Sequence, residues 1–94
     1  MATIKQLKKD FDHLTFAVIE DCIARYNLTK DKEAEVSELV ESTVQYRQEV
    51  RKRINAHKKI TSSKEKKQYF NDLVAEFLKN THDRFTRLSE IIQQ

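Results

Sequence analysis

Glycine and proline are both absent from this 94-residue chain. These two residues supply the positive-φ positions and rigid corners that hairpins and tight loops use, so a β-rich fold is not expected. The same gap excludes phosphate-cradling loops, dinucleotide fingerprints, calcium loops and nucleophile elbows in their standard form. Each places glycine where the backbone crowds a ligand or turns sharply. Cysteine is reduced to Cys22, which rules out an internal disulfide and a multi-thiolate zinc site and leaves small core filler as its expected role. No run of 18 apolar residues occurs, and the first nine residues carry charge but no apolar h-region. A soluble, cytoplasmic chain with no membrane role is the expectation. Asn27-Leu28-Thr29 fits the N-glycosylation pattern, a match read as chance in the absence of a secretion signal.

What is present is helical periodicity. A hydrophobic content of 38% in 94 residues suits one domain, residues 1–94, with a single core. Thr3 and Gln6 have capping-box spacing, and Ile4, Leu7, Phe11, Leu14, Val18 and Cys22 then recur at steps of three and four, which predicts a first helix over about 3–26. Asn27, which tolerates the left-handed conformation, and Thr29, a fair N-cap, place the first break. Val36, Leu39, Val40, Thr43, Tyr46, Val50 and Ile54 predict a second helix over about 30–58, with acids at its start and bases at its finish, as the helix dipole favours. Ser62 with Glu65 makes a capping box for a third helix over about 62–92, carrying Phe70, Leu73, Val74, Phe77, Thr81, Phe85, Leu88 and Ile92. No internal repeat, linker or low-complexity tract interrupts this pattern.

Long helices joined by short connections are antiparallel neighbours, so the expected fold is all-α: an up-down-up three-helix bundle, with dimerisation a further expectation. With turns centred near residues 29 and 60, the predicted layers are Leu7/Val50/Phe70, Leu14/Val44/Phe77, Val18/Val40/Thr81 and Cys22/Val36/Phe85. The same register sets Arg47 level with Asp10 and Asp12, and Arg84 level with Asp21 and Glu35, and each arginine is expected to pair with a carboxylate or snorkel outward.

Charge is unevenly distributed. Residues 47–67 hold nine lysines and arginines against two acids, and the bundle brings Lys5, Lys8 and Lys9 beside them for a net +10. Residues 10–46 balance at −6, so the molecule is expected to be electrically polarised end to end. Like charges from three helix termini repel within a Debye length of roughly 8–10 Å, and this end is therefore more basic than dipole matching requires.

Two surfaces follow from these patterns. The apolar arc of the first helix exceeds half its circumference, leaving Phe16, Ile19, Ile23 and Tyr26 as surplus beyond the core stripe. Burial of that flank in a homodimer or against a protein partner is the preferred expectation. The alternative is binding of nucleic acid or another polyanion through Lys8, Lys9, Arg51, Arg53, Lys58, Lys59, Lys64 and Lys67, with affinity from counterion release. Against it, the chain carries no glycine-bearing helix-turn-helix and no RRM or KH signature, and Tyr69 and Phe70 are the only aromatics close to the basic stretch.

Catalytic patterns are not found. The single acid-x-x-histidine spacing, Asp10 to His13, falls on a polar flank, whereas di-iron bundles need two Glu-x-x-His motifs and further inward glutamates. No catalytic, cofactor-binding or metal-ligating residues are assigned, and no small-molecule substrate is indicated. His57 continues the apolar stripe of the second helix at the basic end, where the C-terminal dipole is the plain account of it. The expected function is a small non-enzymatic helical interaction module.

Overall fold

The computed structural model describes residues 4–93, and among them the fold is a three-helix bundle without strands. The helices are α1 (Ile4–Ala24), α2 (Glu33–Asn55) and α3 (Ser63–Gln93). Alternating direction is visible in the contacts. Lys8 near the start of α1 donates to Asn55 at the end of α2 (2.7 Å), while Tyr26 just past the end of α1 donates to Glu33 at the start of α2 (2.7 Å). The molecule is long and thin, 50 × 20 × 17 Å. At about 1.5 Å per residue, the 31 residues of α3 account for nearly all of that length.

The first connection is tighter than a simple break. Two 3-10 turns, Tyr26–Leu28 and Lys30–Lys32, flank Thr29, which is buried. Its amide donates to the Tyr26 carbonyl at 3.0 Å, its carbonyl accepts from the Lys32 amide at 2.9 Å, and its hydroxyl points back to the carbonyls of Arg25 and Tyr26. The end of α1 is thereby satisfied without any positive φ among the described residues. This corrects two expectations. Asn27 does not adopt the left-handed conformation, and Thr29 serves the end of α1 rather than capping α2, which begins at Glu33 instead of residue 30. Lys32 then donates to the Ile91 carbonyl at 2.8 Å, fastening this turn to the last turn of α3.

At the other end, α2 stops at Asn55 rather than near residue 58, and a 3-10 turn, Ala56–Lys59, follows it before Ile60 takes an extended conformation (φ −95°, ψ 121°). Ser62 accepts from the Glu65 amide at 3.4 Å, the predicted cap of α3 in a long form. The Thr3 cap lies outside the described residues; Gln6 donates to Asp10.

Register differs from expectation by almost one turn. Phe11 stacks on Phe77 with centroids 4.1 Å apart, and Tyr46 lies over the same ring at 6.0 Å. Phe77 was expected opposite Leu14 and Val44; Val44 is instead 39% exposed. Phe85 is only partly buried, and Leu88 and Ile91 take the place expected of it beside Cys22 and Leu39. The cause is the second connection: the 3-10 turn adds four residues beyond α2 before the chain reverses, so each level of α3 is reached later in the sequence.

The core falls into two clusters, Phe11, Val50, Ile54, Leu73 and Phe77 at the basic end and Cys22, Leu39, Leu88 and Ile91 at the other. Between them the waist is polar. Thr15 and Thr81 each lie four residues beyond the stacked pair Phe11 and Phe77, and Thr43 lies three residues before Tyr46, so the three helices contribute one buried threonine each at one level. Thr15 and Thr43 donate to the carbonyls four residues earlier in their own helices, at 2.8 and 2.7 Å, as a buried hydroxyl in a helix must.

Candidate interaction surfaces

The flank of α1 is uncovered. Phe16 is 48% exposed, Ile23 69% and Tyr26 48%, with Leu28 of the adjoining turn at 58%; Ile19 is half-buried. These positions follow a seven-residue rhythm along α1, Lys5, Lys9, Asp12, Phe16, Ile19, Ile23 and Tyr26, separated by alternating steps of four and three. The stripe is charged in its first half and apolar in its second. It lies about 100° around the helix from the core stripe, too far for α2 or α3 to wrap in a bundle only 20 Å across. Both aromatic rings are held in place although exposed. Arg47 sits over Phe16 at 5.6 Å, and the Tyr26 hydroxyl donates to Glu33. Leu28 was not expected on this surface; the hint was its place near Tyr26 in a turn too short to bury it.

The basic end is partly neutralised. Asp12 accepts from Arg47 (2.8 Å to Nε) and from Arg51, so the expected Arg47 pairing is met by Asp12 and not by Asp10. Burial works against the ionised Asp12 carboxyl, but the two guanidiniums outweigh it and hold it below its ordinary value. Arg53 forms a two-pronged pair with Glu76 (2.9 and 2.7 Å), which raises the arginine and lowers the glutamate. Of the eight candidate polyanion residues, Arg51 and Arg53 are thus committed to acids and Lys8 is bonded to Asn55. Lys9, Lys58, Lys59, Lys64 and Lys67 are exposed.

The histidine at this end behaves differently from the dipole expectation. His57 lies in the 3-10 turn against Phe70 (5.6 Å), and its proton affinity is lowered by burial and by the charges of Lys66, Lys58 and Lys8. Burial is the larger cause, and lysines of three elements add to it. Lys66, outside the expected set, belongs to this cluster; its signal in the sequence was position alone, one helical turn into α3.

Arg84 corrects a further expectation. It reaches neither Asp21 nor Glu35 but donates to Asn80 (2.7 Å), to the hydroxyls of Ser42 (2.8 Å) and Thr43 (3.0 Å) and to the Ser42 carbonyl (3.3 Å), with Tyr46 beneath it at 5.4 Å. With neutral partners only, burial lowers its proton affinity. Cys22 is a buried thiol whose ionisation is disfavoured first by burial and then by Asp21, the opposite of an activated nucleophile. A cleft of about 160 Å³ lies between Glu35, Glu38, Leu39, Ser42 and Arg87, below the ~300 Å³ at which ligand pockets begin. Among the described residues, no three histidine, cysteine or acidic side chains converge, and no helix is long and apolar enough to cross a membrane. No protein-family model, curated protein or solved structure matches this chain.

Proposed function

We propose that this protein is a small non-enzymatic interaction module that self-associates and presents the α1 flank to helical protein surfaces. The observation that carries this reading is the exposure of Phe16, Ile23, Tyr26 and Leu28 along one flank, from the waist to the end of α1, of an otherwise ordinary bundle. Contiguous apolar surface of this kind on a small folded domain marks an interaction site, and aromatic side chains fixed in advance are what such sites use as anchors. Sedimentation of the parent and of a Phe16→Ser/Ile23→Ser variant tests it. The parent is expected to exceed monomer mass at tens of micromolar and the variant to remain monomeric, with equal helicity by circular dichroism. A monomeric mass for both overturns the self-association.

A second reading is supported by the lysines around His57: a polyanion bound at the basic end by Lys9, Lys58, Lys59, Lys64, Lys66 and Lys67. Retention of a mixed DNA and RNA pool at low salt, lost steeply at moderate salt, is its expected signature. No retention at low salt removes it.

A further inference from the structure

The charge of the molecule distinguishes among the ways its apolar flank can be covered. We propose that the occupant is a second copy of this chain docked antiparallel, with a two-fold axis near Ile19, so that the basic end of each copy lies against the acidic end of the other. This rests on the reading of the flank as an interaction surface and adds the partner and its direction.

The stripe on α1 is asymmetric about its middle. Lys9 lies ten residues before Ile19, about 15 Å along the axis, and Tyr26 lies seven residues after it, about 10 Å in the other direction. Glu33 is bonded to Tyr26, which places the opening acids of α2 at that same end. Rotation of a second copy about an axis at Ile19 therefore carries Lys9 of one chain to a height within a lysine side chain's reach of the end formed by Asp31, Glu33 and Glu35 of the other, while Lys5, about 21 Å from the axis, comes to lie just beyond that end. In that region the cations are Arg25, which is paired with Asp21, Lys30, which is exposed, and Lys32, whose ammonium is bonded to the end of α3. Acids remain in excess there.

A parallel pair does the reverse. It sets two ends side by side whose +10 is only partly offset by Asp10, Asp12, Asp72 and Glu76, within a distance at which salt does not screen them. Like charges opposed across an interface are strongly unfavourable, whereas opposite ones fix register and direction.

Area points the same way. With about 200 Å² per aromatic side chain, Phe16 and Tyr26 together leave about 200 Å² uncovered. Even with Ile23 and Leu28 added, this is a part of an interface rather than the whole of one, since a standard interface takes about 800 Å² from each partner. The remainder has to come from a surrounding polar rim, and in the antiparallel pair that rim is lysine against carboxylate.

Direction is read by a distance between spin labels. In a Cys22→Ser background with a nitroxide at Lys5→Cys, the antiparallel pair places the labels about 40 Å apart, twice the rise from Ile19 to residue 5; a parallel pair places them under about 20 Å. Association should weaken about tenfold in Lys5→Glu/Lys9→Glu and recover when Asp31→Lys and Glu35→Lys are added to the same chain. Labels at short distance, or an association indifferent to these charges, overturn the antiparallel proposal while leaving the flank as the interaction surface. Loss of all association in the parent, or association that survives Phe16→Ser/Ile23→Ser, overturns the flank reading itself, and the proposal with it.

Discussion

The guanidinium of Arg84 donates to the Thr43 hydroxyl at 3.0 Å, joining α3 to α2 at the level where the core turns polar. That bond is one of four that Arg84 makes to neutral oxygens, in a position where an arginine without a carboxylate would otherwise be costly.

Removing the whole side chain and removing only its guanidinium head should therefore differ. Arg84→Ala loses the bonds, the contact with Tyr46 and the covering of the waist, and is expected to lower unfolding free energy by about 1.5–3 kcal/mol. Arg84→Met keeps the stem, and its expected cost is under about 1.5 kcal/mol. Urea midpoints with unchanged slopes provide the comparison, and equal losses in the two variants would contradict this account of the waist.

Asp12 carries a dependence on pH whose sign follows from its partners. Its folded proton affinity lies below the ordinary carboxylate value of 3.8, so the ionised form stabilises the fold above that value, and the contribution disappears as pH falls through the lower folded value. Asp12→Asn is expected to cost about 1–2 kcal/mol at neutral pH, reduced from a buried pair because both arginines are partly exposed. The gap between parent and variant should close in strong acid; a gap that is constant with pH would mean the carboxylate contributes only shape.

Adjacent positions on α3 should differ sharply. Phe77 is buried between Phe11 and Tyr46, and its truncation to alanine should cost about 3–5 kcal/mol. Leu78, the next residue, is exposed, and Leu78→Ser should change the midpoint by under about 0.5 kcal/mol. Comparable losses at the two sites would contradict the observed register of α3.

His57 has a folded proton affinity below the ordinary 6.5, set by burial and then by Lys66, Lys58 and Lys8. The unfolded chain takes up the proton first, so stability is full above 6.5 and declines as pH falls from there toward the folded value. Nuclear magnetic resonance titration should find its midpoint below the ordinary 6.5. Added inorganic pyrophosphate should raise the His57 midpoint if the lysine cluster holds anions; a midpoint that does not move would count against the polyanion reading.

Some of this was legible in the chain because it depends on near neighbours. The absence of glycine and proline, the steps of three and four from Ile4 to Ile92 and the Ser62 cap determined an all-helical chain with three helices, since helix formation is set by contacts within a turn or two. The surplus of Phe16, Ile23 and Tyr26 was legible for the same reason: an apolar arc wider than two neighbours can cover is a property of one helix.

Register was decided by the tertiary structure. Where Phe77 sits depends on how far the chain travels between Asn55 and Ser63, and with a 3-10 turn there Phe77 and the place expected of Phe85 shift by nearly one turn, while Leu7, Val50 and Phe70 still share one cluster. That shift took Arg84 from the expected acids to Ser42 and Thr43 and aligned three threonines at the waist. Sequence alone determined which faces of each helix are apolar and which end is basic. Which residues meet across helices, and hence which cations of the basic end are already paired, required packing in three dimensions, because small differences in connection geometry are magnified along rigid helices.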